Sequence, residues 1–405
     1  MNNRLVLLLL NLLVLVLIGG VGFGFYTVYQ KQQATMVATV EDDAYAYLTT
    51  RELSSLPALP ETIKIVPTGK TQEFQLEARE SPWEVMPGVK VEAMTYNGTS
   101  PGQTLRVTEG DLVKVTLKNS LKTATSIHFH GMHLPNKQDG VPPFTQKMIQ
   151  PGETFTYEFI AGHAGTYMYH PHINSVEQID AGLYGAFIID PQDSTNQPKF
   201  DKEYTMMFGG WNIPSDSYDP SVLTGSGGHE GMDGMDGIDG MGKSEEAEDN
   251  MSGMEMGKAK SGGMAMDYNF WTINGKAFPA TEKLKVNKGE RVRIRLINIS
   301  NLAHPMHLHG TDFRIIAEDS HPLAQPKVVN TINVAPGKTF DIEFIADNAG
   351  EWVFHCHELH HTENDGVEPG GIMTTIVVSE GASKEAKSAE ATQESNLDSM
   401  KVMQH

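Results

Sequence analysis

The chain has 405 residues and a formal net charge of −20 at pH 7. That length predicts two or three domains, and that charge excludes nucleic acid as a partner, because phosphate backbones are held by basic patches. A small molecule or a cation is the expected partner.

Residues 5–29 are apolar and carry no charge, which at ~1.5 Å per residue is long enough to cross a bilayer as a helix. A transmembrane or signal helix is therefore predicted over residues 1–30. A cleaved signal peptide would have a shorter apolar region with a small-residue site close behind it, and residues 34–38 offer only a weak version of one. A retained anchor is favoured. Retained or cleaved, the segment sends the remaining chain out of the cytoplasm, either tethered to the membrane or secreted. Arg4 and the amino terminus outweigh Lys31 only slightly in setting orientation.

Residues 31–65 are polar, then helix-like, then closed by Pro57 and Pro60, and read as a spacer. From Thr71 the pattern changes to short alternating runs broken by Gly and Pro, as at 104–107, 112–117 and 155–159. Such spacing predicts a β-sandwich with Greek-key connections. Asp190-Pro191 follows the last apolar run, so the first domain is placed at 66–195. A second set of strand-like runs starts at Tyr204, resumes at Tyr268 and continues through 283–286, 291–299, 328–334, 339–344 and 374–378.

The two halves echo each other. Val107-Thr108-Glu109-Gly110-Asp111 is matched by Val286-Asn287-Lys288-Gly289-Glu290, and Gln150-Pro151-Gly152-Glu153-Thr154-Phe155 by Ala335-Pro336-Gly337-Lys338-Thr339-Phe340. The echo predicts duplicated sandwiches, the second over 196–380. Residues 225–266 inside it are rich in Gly, Met, Asp and Ser without apolar periodicity, which predicts a flexible insertion. The tail, 381–405, has little to bury and is expected to be disordered.

The chain contains one cysteine, Cys356, flanked by His355 and His357. A lone cysteine forms no internal disulfide, so its thiolate is free for a metal or a reaction. On a strand, alternation would turn Cys356 to one face and both histidines to the other, letting one segment serve two metal sites. Ten of the sixteen histidines fall into four groups: His128 and His130; His170 and His172; His304, His307 and His309; His355, His357 and His361. A single His-x-His pair is often a solvated strand face. Four groups distributed over two repeated halves are not. Zinc competes for such ligands, but a closed zinc site takes only four of them, whereas imidazole with thiolate suits copper electron-transfer sites.

These groups resemble the four copper-binding signatures of the multicopper oxidases, the family of laccases, ascorbate oxidase and copper-tolerance oxidases. Flanking residues agree: Asp139-Gly140-Val141-Pro142, Thr145-Gln146, Gly165-Thr166-Tyr167-Met168-Tyr169-His170 and Gly182-Leu183-Tyr184-Gly185. The resemblance spans roughly residues 70–380 without the insertion. It implies an all-β fold of two cupredoxin-like Greek-key β-sandwich domains and four coppers per chain, one type 1, one type 2 and two type 3. By position, His304, Cys356 and His361 resemble type 1 ligands, and His128 and His307 type 2 ligands. His130, His170, His172, His309, His355 and His357 resemble those of the type 3 pair. The implied activity passes single electrons from phenols, aromatic amines or Cu(I) through Cys356 to a three-copper cluster that reduces dioxygen to water.

Where the family places an axial residue soon after the type 1 histidine, this chain has a longer loop, 362–371. Register from Gly371 puts Ile372 in the axial place, with Met373 as the alternative. Ile372 would not coordinate, which should raise the copper potential. Asp139 resembles the family's cluster-side acid, a candidate proton donor in oxygen reduction, with a turn aspartate before glycine as the plainer reading. A second acid often found just after the type 1 histidine is replaced by Thr362.

The first half has His170-Pro171-His172 where the second has His355-Cys356-His357, so the first should hold no type 1 copper, unlike copper nitrite reductase. Residues 193–267 lack the core for an intervening domain. The chain therefore resembles the two-domain laccases, which are homotrimers with each cluster between neighbouring subunits. His133, His163, His229, His321, His360 and His405 fall outside the signatures and are read as solvated or capping. Residues 232–266 hold eight methionines, soft ligands for Cu(I), and a similar insertion occurs in copper-tolerance members. A plain low-complexity linker is the competing reading. A dedicated cuprous oxidase and a non-catalytic copper-binding protein are the alternative functions.

Overall fold

A computed structural model describes residues 65–195, 197–224 and 268–380. The expected membrane helix, the spacer up to residue 64, the whole of the 225–266 insertion with residue 267, and the tail lie outside the described residues. No described helix is long and apolar enough to cross a membrane.

The first half contains β1 (Thr71–Met86), β2 (Val89–Tyr96), β3 (Gly102–Thr108), β4 (Leu112–Asn119), β5 (His128–His130), β6 (Thr154–Ile160), β7 (Gly165–His170) and β8 (Gly185–Asp190), with one α-helix, α1 (Ser175–Asp180), between β7 and β8. β4 alternates buried and half-buried positions, the pattern of a sheet with one face on a core. Two four-stranded sheets, ordered β2-β1-β4-β6 and β3-β8-β7-β5, enclose that core, built on Leu76, Val115, Phe129, Tyr157 and Phe187.

The second half contains β9 (Lys202–Trp211), β10 (Phe270–Ile273), β11 (Leu284–Asn287), β12 (Arg291–Asn298), β13 (His304–Leu308), β14 (Phe313–Glu318), β15 (His321–Val329), β16 (Thr331–Val334), β17 (Thr339–Ile345), β18 (Gly350–Cys356) and β19 (Met373–Ser379). Its sheets run β10-β9-β12-β17-β14-β15 and β11-β19-β18-β13-β16, and Phe208, Ile294, Leu296, Phe313, Phe354 and Ile376 fill the space between them. The run expected over 328–334 is divided between β15 and β16 at Asn330.

β1 is longer than the sequence pattern suggests, at 16 residues. Its first half pairs in parallel with β4 and its second half antiparallel with β2. The far end of this β1–β2 hairpin packs on the second sandwich, joining Val85, Met86, Val89 and Ala93 to Trp211, Tyr218 and Phe270 in one buried cluster. Trp83 Nε1 donates to the Gly275 carbonyl at 2.7 Å.

A polar clasp joins the sandwiches elsewhere. Thr166 on β7 donates to Asp341 Oδ1 at 2.5 Å, and Arg295 Nη1 donates to Asp341 Oδ2 at 3.0 Å and to Thr166 Oγ1. Ser320 donates to the Thr166 carbonyl at 2.7 Å. Arg295 and Asp341 are both buried, and their charges are tolerated within a network that also holds Glu203, 3.3 Å from Arg295 Nη2, and Arg293, 3.8 Å from Asp341 Oδ2.

Candidate metal centre

β13 and β18 are neighbours, with Met306 opposite Cys356 and His307 opposite His355. Alternation on both strands sends His304 and Cys356 into the core, and His307 and His355 to the other face. His309 and His357 continue the outward set just past the strand ends and are exposed.

On the inner face a one-turn 3-10 helix, Leu359–Thr362, brings His361 back to the cysteine. His361 Nδ1 lies 3.6 Å from Cys356 Sγ, His304 Nδ1 lies 3.8 Å from it, and the two nitrogens are 3.1 Å apart. The neighbouring His360 side chain is 85% exposed, so His361 is the residue beside the thiol. Ser300 Oγ contacts His304 Nε2 at 2.7 Å, fixing the ring with Nδ1 turned inward. Trp271 covers His361, with ring centroids 4.0 Å apart, and meets His304 edge-on at 5.3 Å.

Burial drives the electrostatics of this pocket. It lowers the His304 imidazole to about 3 and that of His361 to about 4, so both rings stay neutral and keep a lone pair. It pushes the Cys356 thiol up to about 12, so a bound cation is what would hold it as thiolate. Two neutral imidazole nitrogens and a sulfur converge in a dry pocket, a donor set that fits copper.

The 362–371 loop is tied down rather than loose. Asn364 Nδ2 donates to the Phe278 carbonyl at 2.7 Å and approaches Met86 Sδ at 3.4 Å, while Gly371 N donates to Asn364 Oδ1 at 2.9 Å. Ile372 N donates to the His361 carbonyl at 2.8 Å, and Cys356 N to the Ile372 carbonyl at 3.0 Å. Met373 pairs with His355, which puts it on the outer face. Ile372 is fully buried in the core cluster that holds Cys356, and its side chain has no ligand atom.

The outward histidines form two sets. His128 contacts His130, His170 and His172, with ring centroids 5.4–5.8 Å apart. His307 contacts His309, His355 and His357 at 4.9–5.9 Å. Among the described residues no ring contact joins one set to the other.

Within each set the tautomers follow from the partners. The Nδ1 atoms of His128, His170, His307 and His355 face the carbonyl oxygens of Asp139, Pro171, Asn330 and Cys356 at 2.8–3.0 Å. A carbonyl only accepts, so Nδ1 carries the proton and Nε2 presents a lone pair. His355 Nε2 lies 3.1 Å from His309 Nε2, and His170 Nε2 3.4 Å from His130 Nδ1. Lone pairs gathered this way, with the far nitrogens fixed on carbonyls, are the arrangement of metal-binding imidazoles. Burial lowers His170 to about 3, which also keeps it neutral.

Asp139 Oδ1 lies 3.4 Å from His128 Nδ1. Its position depends on Gly140, whose φ is +76° and where a Cβ would stand 1.6 Å from the Ile127 carbonyl oxygen. Of the residues outside the signatures, His163 is hydrogen-bonded to Tyr167 at 2.8 Å and stacked on His321 at 4.8 Å. His133 and His360 are exposed, and His229 and His405 lie outside the described residues. Sequence reasoning missed Ser300 and Trp271, because neither belongs to a spacing pattern. The one available hint was Ser300 standing four residues before His304.

Two family profiles, both described as multicopper oxidase, match residues 77–194 and 251–369. Multicopper oxidase MmcO of Mycobacterium tuberculosis is 31% identical over 63% of this chain and 48% of its own length. Copper resistance protein A of Pseudomonas syringae pv. tomato is 30% identical over 67% of this chain and 45% of its own length. The chain thus spans about half the length of these curated relatives. The blue copper oxidase from Nitrosomonas europaea superposes with a TM-score of 0.62 at 30% identity, covering 76% of this chain and 86% of that one.

Proposed function

Because the chain belongs to the multicopper oxidase family, we propose that it is a copper-dependent oxidoreductase of laccase type. Phenols, aromatic amines or Cu(I) would give up single electrons, and dioxygen would be reduced to water. The observation that carries this reading is the two-faced strand pair: Cys356 and His304 point inward to a dry His361, while the same strands present His307 and His355 outward.

Bound copper would supply the one-electron couple on the inner face and the oxygen-reducing centre on the outer one. His304, Cys356 and His361 would hold a type 1 ion, with Ile372 in the non-coordinating axial place. His128 and His307 would hold a type 2 ion, and His130, His170, His172, His309, His355 and His357 a type 3 pair, which would make four coppers in all. The chain links the faces directly, since His355 follows the same backbone as Cys356 and donates from Nδ1 to its carbonyl at 2.8 Å. Asp139, beside His128 and partly exposed, would be the group that hands protons inward.

Each outward histidine set is incomplete alone, and His172, His309 and His357 are exposed. We take the assembly to be a homotrimer in which the first set of one subunit meets the second set of the next, a head-to-tail contact that closes into a ring. Phe144, just past Asp139, is 84% exposed, which suits a surface covered on assembly. The location we propose is extracytoplasmic, anchored through residues 1–30 or secreted if these are cleaved.

A second reading, a dedicated cuprous oxidase, is favoured by the similarity to copper resistance protein A and by the methionines of 225–266. The deciding experiment measures copper per chain, solution mass and oxygen uptake with hydroquinone and with Cu(I) side by side. Four coppers, a threefold mass and uptake with both donors are expected. Uptake with Cu(I) alone selects the second reading, and copper without oxygen uptake would leave a binding protein.

A further inference from the structure

His361 is only 5% exposed, so a donor molecule in solution meets little of its ring and a path through neighbouring side chains matters. The group in contact with that ring is Trp271, itself buried, at 4.0 Å between centroids. One ring further out is Tyr268, packed edge-on against Trp271 at 4.9 Å. Tyr268 is half-buried and reaches the surface in a cleft of about 450 Å³ that it shares with Trp211, Ser217, Lys90 and Asp180.

The fold makes room for this pair. Trp271 lies opposite Gly210 in the β9–β10 pairing, and a Cβ on Gly210 would stand 2.8 Å from Tyr268 Cγ and 3.2 Å from Trp271 Cε3. Only a residue without a side chain leaves both rings where they are.

The outer end of the pair is equipped for a proton. The Tyr268 hydroxyl donates to Asp180 Oδ1 and accepts from Asn301 Nδ2 at 3.2 Å. Asp180 comes from α1 of the first sandwich, and its other oxygen, Oδ2, is buried without a partner. A carboxylate so placed has spare capacity to take the phenolic proton. Burial raises the Asp180 carboxyl and the Tyr268 phenol alike, which favours a proton shared between them over two separate charges.

We propose that Tyr268 and Trp271 are the electron path from this cleft to His361, with Asp180 taking and returning the Tyr268 proton. The proposal rests on the reading that His304, Cys356 and His361 hold a blue copper. In the step, Tyr268 would give up one electron through Trp271 toward the oxidised copper that His304, Cys356 and His361 would hold, and its phenolic proton would move to Asp180 Oδ1. A one-electron donor in the cleft, a hydroquinone or a phenol, then returns one electron to the Tyr268 radical while the proton goes back from Asp180. The net change is one electron from donor to copper, and the protein is restored.

The test compares wild type with Tyr268→Phe, Asp180→Asn and Trp271→Phe. In the copper-loaded protein, reduction of the blue band by hydroquinone without oxygen is followed by stopped flow. Tyr268→Phe should keep the blue band and slow its bleaching at least about tenfold, a barrier change of ~1.4 kcal/mol, with Asp180→Asn slowed in the same direction. In the copper-free protein, brief oxidation by a one-electron oxidant should give a tyrosyl radical by electron paramagnetic resonance whose yield falls in Tyr268→Phe and in Asp180→Asn. Trp271→Phe, if it folds, should slow bleaching as Tyr268→Phe does. Absence of a blue band in wild type overturns the copper reading, and the path with it. A blue Tyr268→Phe protein that bleaches at the wild-type rate overturns the path alone.

Discussion

The indole of Trp271 lies across the imidazole of His361, with centroids 4.0 Å apart and the planes inclined by 41°. That contact covers His361 inside a pocket where His304 and His361 are both buried and His304 also meets Phe208. The low proton affinity of both imidazoles follows from that burial, since desolvation is the largest cause of each shift.

Ser300 should matter to metal affinity although it touches no metal. Its hydroxyl holds His304 Nε2 at 2.7 Å, so Ser300→Ala frees the ring to turn. Loss of such a support costs ~10–100-fold in affinity. Competitive chelator titration of the blue copper should show weaker binding in the variant, with the cluster coppers unaffected. Equal affinity would mean the packing around His304 suffices.

Acidification should destabilise the copper-free protein. His170, His304 and His361 have folded values of about 3, 3 and 4 against an ordinary 6.5. Above ~6.5 both folded and unfolded states are neutral at these rings and the full stability is present. As pH falls below that, the unfolded chain binds protons that the folded chain refuses, and stability drops until the folded values are reached. Each ring contributes up to ~1.4 kcal/mol per pH unit within that window. Urea unfolding midpoints of the copper-free protein should fall between pH 7 and pH 5, and constant midpoints would contradict buried neutral histidines.

The clasp between the sandwiches should be sensitive to removal of one charge. Asp341→Asn leaves buried Arg295 with Glu203 Oε2, 3.3 Å from Nη2, as its remaining carboxylate, so the loss should be at most the ~3–5 kcal/mol of a fully broken buried pair. Thr166→Val removes the hydroxyl that both groups use and should cost less, about 1–3 kcal/mol. Denaturant melts of the two variants should rank in that order. The reverse order would mean water repairs the Arg295 site.

Ile372 offers the axial test. It sits on the Cys356 face while Met373 sits on the His355 face. Ile372→Met should introduce a weak thioether ligand and lower the blue-copper potential, whereas Met373→Leu should leave it unchanged. A redox titration that moves only with Met373→Leu would reassign the position.

Much of the candidate site was legible in the sequence because His-x-His pairs on strands project to one face whatever surrounds them, and because the single cysteine fixes where the inner pocket must be. His361 over His360 was legible only through the spacing of the family signature that the chain resembles. The double pairing of β1 and the split at Asn330 were not, since both depend on distant partners rather than local pattern. Trp271, Tyr268 and Ser300 read as ordinary residues because their meaning comes from which rings they meet.

The β1–β2 hairpin that reaches the second sandwich ties the site to the order in which the chain folds. Asn364, in the loop that ends at Ile372, meets Met86 across 278 residues of sequence, and Trp83 meets Gly275 across 192. Contacts of that span form late and slowly. The loop behind His361 is therefore complete only when the earliest and latest described parts of the chain have met. A second half expressed by itself would leave Trp211, Tyr218 and Phe270 without the cover of Val85, Met86 and Val89, a sticky surface where the whole protein has a sealed one.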